Sequence, residues 1–589
     1  MEKIKRALLI LLALTMLLSV TACSKTSEQP TAEQPAAEEA PAKAEEKTET
    51  KAEEKTEEPL EILKTTLYGN STSLESGTRE GYMKDLFAKY GLEVEVWAFS
   101  EDKTNAMLAS GDLPDVMYVT IDQLNAMLES DMVLNLDDYL DKLPNVTNYE
   151  DYAGALAYSR AYLSGGTGNL YALPTYVGKN PSTGTTDRSQ LMLNWDYYSE
   201  LGCPEFNNLD ELIEIFKQMK ENHPTDAMGN PTYAAVTYYT PGAYDFCIGY
   251  GSYFGYISAY FDKLGAANMR TGELEYLLEE DGLLYNTTKY LNKLYREDLL
   301  DPESISIDRS SLLTRTWDNP ETGTYFSVLA EVSGSNDYFK PIYFPGEYVW
   351  SAGGKDFGQP GLLVVNANTK NIEGALRLLN MFADPAAYLE WLSMPEGEAW
   401  YVKEGTNEAY LTDEFIDFLT NGGGAEFVMS TGEKRVLFNT LPIVTQGTDC
   451  GYVDADGNPR STLIWNWKEA LLITDNLPRQ AAWRDQYGYD TWFDLLNDKG
   501  ALIQTSDIYE ADKFAQSPSD DQKLQFAAVN DSVVTWAWKM IYAESEEEFE
   551  GYWASLQADA DGLGARELYE WEKANIDEAI KTKLSFIGE

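Results

Sequence analysis

Between Leu60 and Thr120 the spacing of apolar residues switches repeatedly between the period of a strand and that of a helix. Leu60 to Tyr68 contains the β-prone run Leu-Lys-Thr-Thr-Leu-Tyr, broken by Gly69-Asn70. Tyr82, Leu86, Phe87 and Tyr90 then recur at helical spacing, and Gly91 is placed to end that helix. Leu92 to Ala98 alternates as a strand, Thr104 to Ser110 reads as a short helix closed by Gly111, and Asp115 to Val119 is apolar enough for a buried strand. Strands alternating with helices predict a parallel sheet, and ligands on such sheets sit at the carboxyl ends of the strands. Those ends lie near Asn70, Trp97 to Ser100, and Tyr118 to Thr120.

A second region of the same kind begins after the Gly-, Ser- and Thr-rich stretch Gly178 to Ser189. Leu191 to Asn194 reads as a strand, and Asn208 caps a helix whose apolar face is Leu209, Leu212, Ile213, Phe216 and Met219. A further amphipathic helix carries Leu284, Leu291, Leu294 and Tyr295 and is expected to end at Asp301-Pro302. Gly361 to Asn366 is a strand leading into a helix from Ile372 to Phe382, and Asp384-Pro385 opens another through Leu392. The chain from Asp531 onward is strongly helical.

Ahead of all this, Lys3, Lys5 and Arg6 precede an apolar run from Ala7 to Val20, the pattern of a signal peptide. The run ends in Val20-Thr21-Ala22-Cys23, which resembles the lipobox of bacterial lipoproteins. That resemblance implies acylation of Cys23 and cleavage before it, leaving the protein lipid-anchored on the outer face of the cytoplasmic membrane. From Ser24 to Pro59 no aromatic residue and no Val, Ile, Leu or Met occurs, so this stretch is expected to be a disordered polar tether. The formal net charge of -52 sets the protein against nucleic acid and against anionic lipid heads as partners.

Cysteine and histidine limit the chemistry further. Beyond Cys23 only Cys203, Cys247 and Cys450 remain, and His223 is the single histidine, so thiolate zinc sites and histidine-based metal sites are excluded. Free buried thiols are expected, with one disulfide among the three left open. His223 lies in a turn-like segment and reads as a surface residue.

Several short segments, in order, carry a wider resemblance. They are Ala109-Ser110-Gly111-Asp112-Leu113-Pro114-Asp115-Val116, Gly168-Asn169-Leu170-Tyr171-Ala172-Leu173-Pro174, Leu191-Met192-Leu193-Asn194-Trp195-Asp196, the stretch Leu294 to Pro302, and Glu547 to Trp553. Together they make the chain after Leu60 resemble the extracellular solute-binding proteins of family 1, the maltose-binding-like components of ABC importers. The resemblance implies an α/β, two-lobe periplasmic-binding-protein-like fold of type II, with discontinuous lobes and a hinge. On that basis residues 1–22 are a signal peptide, 23–59 a tether and 60–589 a solute-binding domain. Its first lobe would take about 60–185 plus 366–430, and its second about 194–360 plus much of the C-terminal helical region. Many longer relatives hold a calcium loop near His223 to Tyr233; here Asp226 to Pro231 lacks alternating oxygen ligands, and no metal is expected. Asp454-Ala455-Asp456-Gly457-Asn458 has Trp465 where a bidentate glutamate belongs, and its Asp-Gly step predicts a hairpin of type I′.

The implied function is capture of a carbohydrate, with no enzymatic activity and no cofactor, and delivery to membrane permease subunits by a monomer. Sugars need aromatic platforms and polar rims. The candidates at strand ends or expected loops are Trp97, Tyr118, Tyr176, Trp195, Tyr250 (in a Gly-rich stretch, Ile248 to Gly255), Trp317, Trp350 and Trp400. Trp536, Trp538 and Trp553 fall on helices and read as packing. The alternatives are a peptide or other solute bound by the same fold, and a surface glycoside hydrolase. With 97 acidic residues, close carboxylate pairs arise by chance and do not argue for the enzyme.

Overall fold

The computed structural model describes residues 60–69, 76–150, 152–179, 190–257, 263–318, 320–328, 338–351, 354–358, 361–421, 427–434, 443 and 449–588. The signal, Cys23 and the tether lie outside them. Its central feature is a six-stranded sheet of β1 (Leu63–Tyr68), β2 (Gly77–Thr78), β3 (Leu92–Trp97), β4 (Val116–Val119), β5 (Ala172–Pro174) and β6 (Leu362–Val365), in the order β2-β3-β1-β4-β6-β5. The three strands predicted first pair in parallel, Leu67 opposite both Val96 and Val116. β6 arrives from far along the chain and inserts antiparallel between β4 and β5. Its sequence, Leu-Leu-Val-Val, is buried at every position, as a strand covered on both faces requires.

Alternation along these strands divides the core in two. Leu67, Val94, Val96, Val116, Leu363 and Val365 pack on one face with Leu86, Phe87, Leu379 and Trp391. Tyr68, Met117, Val119, Leu362 and Val364 pack on the other with Met107, Tyr158, Phe357 and Phe514. The segment ahead of β4 is fixed by Asp115, whose Oδ2 accepts from the Thr66 amide and hydroxyl, both at 2.8 Å. Gly111 closes the preceding helix, Glu101–Ser110, in the left-handed region at φ 73°.

A separate, larger core gathers Leu191, Leu193, Phe216, Leu284, Leu291, Trp483, Val533 and Phe549. Here Met192–Asn194 runs antiparallel between Ser327–Val328 and Phe339–Pro341. Asn208 caps the helix Leu209–Asn222 as expected, accepting from the Glu211 amide at 3.0 Å. Other expectations are corrected. The helix opened by Leu283 ends at Arg296, where Asp298 turns the chain at φ 57°, and Asp301 instead caps the short turn Pro302–Ile305. Ile248 to Gly255 is mostly helix, Ile248–Tyr253, rather than loop. Trp400 lies in a strand, Trp400–Val402, paired with Ala409–Leu411. The region from Asp531 onward is strongly helical as expected, and the first of its long helices starts earlier, at Asp520, where Ser519 and Gln522 form a capping box. Cys203, Cys247 and Cys450 are free thiols.

The last helix, Ala565–Ile587, touches three of these clusters: Leu568 and Tyr569 join the larger core, Ile576 a small cluster with Trp350 and Ile508, and Ala579 the face of the sheet that carries Tyr68 and Met117. Among the described residues no helix is long and apolar enough to cross a membrane.

Candidate functional site

The register of the central sheet puts one row of residues along its carboxyl edge. Tyr68 is opposite Trp97, Val119 is opposite Leu362, and Leu362 is opposite Pro174. Trp97, Tyr118 and Tyr176 therefore lie along a single edge. From β3 to β5 is four strand spacings, roughly 19 Å. This is where the α/β architecture leaves a ligand crevice.

Each residue is held differently. Trp97 ends β3 half-buried, its indole N–H donating to Glu95 Oε1 at 3.2 Å, with Lys103 Nζ 5.2 Å from the ring. The same ammonium stands 5.7 Å from the Tyr68 ring. Ser100 caps the helix that carries Lys103, and its carbonyl accepts from the Tyr68 hydroxyl at 2.9 Å. Tyr118 is half-buried on the opposite face of the sheet, its ring against Gly361, where an added Cβ would fall within 1.7 Å of the hydroxyl. Tyr176 adopts φ 57°, a left-handed conformation costly for an aromatic side chain and found mostly where function or packing imposes it. Lys103, Tyr68 and Ser76, whose hydroxyl accepts from the Ala98 amide at 3.0 Å, were not singled out in the sequence. For Lys103 the signal was its place in the first turn of the helix after Trp97.

The remaining candidates do not join this edge. Trp400 is 1% exposed, packed against Trp467 and Tyr452, with its indole N–H donating to the Met394 carbonyl at 2.8 Å. With no open face, it is a core residue. Trp195 is 3% exposed between Tyr198 and Tyr487, because Asn194 starts a helix there and turns the indole inward. Trp350, 7% exposed, packs on Tyr509 at 5.1 Å. Tyr250 is half-buried on its helix against Tyr290 and Phe254. Trp317 falls on the turn Thr314–Asp318, and its side chain lies outside the described residues. Two surface cavities lie elsewhere. One, of about 440 Å³, is lined by Tyr239, Ile305, Trp538 and Tyr542 among others; the second, of about 380 Å³, by Tyr149, Leu156 and Arg160 among others.

The two loops weighed as metal sites turn out to be the same structure built twice. Asp226 Oδ1 accepts from the amides of Met228 and Asn230 at 2.9 and 2.8 Å, while Oδ2 takes the Asn230 side-chain N–H and the Thr324 hydroxyl. Asp454 Oδ1 accepts from the amides of Asp456 and Asn458 at 2.9 and 2.8 Å, and the Asn458 side chain again closes the ring. In both, the Asn four residues on supplies donors to the Asp side chain. Burial pushes the Asp226 carboxyl up, but these hydrogen bonds bring it below its ordinary value; Asp454 is lowered chiefly by Asn458. The second loop is a hairpin, yet only Gly457 has a positive φ (83°), so it is not the predicted type I′. His223, expected on the surface, is half-buried, stacked on Tyr197 at 4.1 Å with Nε2 2.6 Å from Glu200.

No protein-family model and no curated protein matches the sequence. The structure is similar to an HMO-binding, ABC-transporter-associated solute-binding protein from Bifidobacterium longum infantis, with a TM-score of 0.57 and 17% identity over 88% of this chain and 99% of that one. This is the fold of the ABC-transporter solute-binding proteins. The alginate-binding protein AlgQ2, solved without calcium ion, gives 0.55 and 13% identity over 89% of this chain and 99% of its own. The Streptococcus pneumoniae protein FusA in complex with kestose gives 0.52 and 14% over 88% and 100%. All three are named as binding proteins, two of them of ABC transporters, and their length is spanned almost completely.

Proposed function

We propose that this chain is a family 1 extracellular solute-binding protein, the receptor of an ABC importer, and that its solute is an oligosaccharide. The observation that carries the reading is a fold matched across nearly the whole length of proteins whose names specify HMO, alginate and kestose. The half-buried aromatics Trp97, Tyr118 and Tyr176 along one sheet edge supply the platforms that such a solute needs.

In this reading the two large cores belong to two lobes. The first holds about 60–177 and 357–473, and the second about 190–350 and 483–571. These bounds follow core membership and lengthen the first lobe beyond residue 430, because Ile464, Trp467 and Ala470 pack with the sheet. Solute bound at the sheet edge draws the lobes together by making contacts that only the closed state offers. The closed form is what the permease recognises, and Cys23, acylated, keeps the monomeric receptor at the outer face of the membrane.

The test is a melting and calorimetric screen against oligosaccharides and peptides. A specific sugar at a hundredfold excess over its dissociation constant stabilises the folded state by about 2.7 kcal/mol. The sugar is recovered intact after prolonged incubation. Stabilisation by peptides alone, or cleavage of the sugar, refutes the proposal.

A further inference from the structure

The segment from Ala501 to Ala515 runs from one core to the other. Ala501 is buried in the larger core, Ile508 in the small cluster with Trp350 and Ile576, and Ala511 and Phe514 beneath the sheet with Phe357 and Tyr158. It travels beside a second pair of segments, 349–351 and 354–358: Leu502–Ile503 pairs in parallel with Val349–Trp350, and the Ser351 amide donates to the Ile503 carbonyl at 2.9 Å. From the other side Lys583 of the last helix donates to the carbonyls of Asp507 and Tyr509 at 2.9 and 2.8 Å.

Glu510 sits between these segments, 9% exposed and at φ 57°, a left-handed conformation for a residue that is not glycine. Its Oε2 accepts from the Asp356 amide at 3.1 Å, whereas Oε1 is buried without a hydrogen-bond partner among the described residues. Lys513 Nζ stands 3.7 Å from that oxygen but donates to the Gly358 carbonyl. Gly358 in turn presses on the residues before Tyr176. An added Cβ there would lie 2.6 Å from the Pro174 side chain and 2.8 Å from the Thr175 carbonyl. Tyr158 fixes the base of the lysine, its hydroxyl donating to the Lys513 carbonyl at 2.8 Å.

We propose that Glu510 and Lys513 are a proton-operated latch on the paired segments, with two arrangements of the lysine. With Glu510 protonated, the ammonium stays on the Gly358 carbonyl and clamps the 354–358 turn behind Tyr176. Loss of the proton to solvent leaves a buried carboxylate, which draws the ammonium across the 3.7 Å gap onto Oε1. The Gly358 carbonyl then loses its donor, and the turn and the strand end carrying Tyr176 loosen together. The groups facing the carboxyl set where this happens. Burial pushes it up, the charges of Lys513 and Lys355 and the hydrogen bond from the Asp356 amide oppose this, and the Asp356 carboxylate adds to it, leaving Glu510 near pH 7. Asp512 and Glu510 both bear on the Tyr158 hydroxyl, which burial above all keeps protonated throughout this range. The latch is independent of which solute the protein takes.

Amide hydrogen exchange, corrected for the intrinsic dependence on pH, tests it on the full chain. In the wild type, protection of 354–358 falls roughly tenfold from pH 6 to pH 8, since the ionised fraction of a group titrating near 7 rises from about a tenth to about nine-tenths over that range. In Glu510→Gln, which mimics the protonated acid, protection stays high and flat; in Lys513→Met it is low and flat. Because the folded carboxyl ionises near 7 rather than near its ordinary 4.5, its stabilising contribution is present below pH 4.5 and is lost as pH rises through 7. The wild-type melting temperature therefore drops from pH 6 to 8 relative to Glu510→Gln. Flat wild-type protection over that range overturns the proposal even if the glutamine variant does not fold, and so does an unchanged pH dependence in either variant.

Discussion

Trp97 and Trp400 both read from the sequence as candidate platforms, one at a strand end and one in an expected loop, and the structure makes them opposites. Truncating Trp400 to Ala empties a site that is 1% exposed and removes the N–H that satisfies the Met394 carbonyl. A buried indole covers about 150–250 Å², which at about 25 cal/mol per Å² is worth about 4–6 kcal/mol; core Trp-to-Ala changes measured elsewhere cost about 3–5. Taking about 4 kcal/mol, and an unfolding entropy of about 2.1 cal/mol/K per residue, the roughly 530 residues from Pro59 onward have an entropy near 1.1 kcal/mol/K. The melting temperature then falls by about 4 °C if they unfold as one, and by about twice that if the sheet's half unfolds alone. Solute affinity in the folded fraction is unchanged. Trp97→Ala does the reverse: a half-buried ring leaves the stability within about 1 kcal/mol, while a lost stacking platform weakens the sugar by roughly tenfold to a hundredfold. Calorimetric titration and melting curves on the same preparations separate the two. A Trp400→Ala variant that melts like wild type but loses the sugar refutes the assignment of that residue to the core, and a Trp97→Ala variant that binds normally refutes the edge site.

Chelating calcium leaves the melting temperature unchanged, because Asn230 and Asn458 supply the donors that occupy Asp226 and Asp454; a drop of several degrees, reversed by calcium, contradicts this. Cys23→Ala shifts the protein from the membrane fraction to the medium or leaves it unprocessed, and fractionation identical to wild type disproves acylation. Arg460, buried with its guanidinium 2.5 and 2.6 Å from the Glu469 oxygens, also donates to the Ala409 carbonyl; because Glu469 is half-exposed and can be rehydrated, Arg460→Ala destabilises by about 1–3 kcal/mol in urea unfolding. Burial raises the Glu469 carboxyl and Arg460 more than reverses this, so the wild-type pair's contribution is present above the ordinary value of 4.5 and lost as pH falls through the lowered one. In the variant that acid-side loss is absent, and a profile still parallel to wild type below pH 4.5 refutes the coupling.

The segments most legible in the sequence are the ones that build the frame. Asp115 of the Gly-Asp-Leu-Pro-Asp stretch ties β4 to Thr66, Leu170 donates its amide to Asp137 at 3.0 Å, and Asp301 accepts from the Tyr325 hydroxyl at 2.6 Å. Those roles depend on local spacing, which a linear pattern carries, and they say nothing about the solute. Whether an aromatic faces a crevice depends on what arrives from far along the chain. Trp400 is closed over by Trp467 and Trp195 by Tyr487, 67 and 292 positions later, and no local pattern announces either partner. The edge positions of Trp97 and Tyr118 were legible because strand ends lie at the edge of any parallel sheet, whereas Tyr176 was singled out only by following the family motif that ends at Pro174. Lys103 and the Glu510 crossing were not, since neither belongs to a pattern of its own.

The helix Ala565–Ile587 bears on the order in which the protein is made. Its side chains wall three separate cores, so a chain emerging from its N-terminus has none of them sealed until its final residues arrive. Under the proposed reading as an exported receptor, such an arrangement keeps the chain unfinished, and fit for threading through a membrane channel, until this helix is made. Removing the helix Ala565–Ile587 therefore exposes apolar surface in all three places at once.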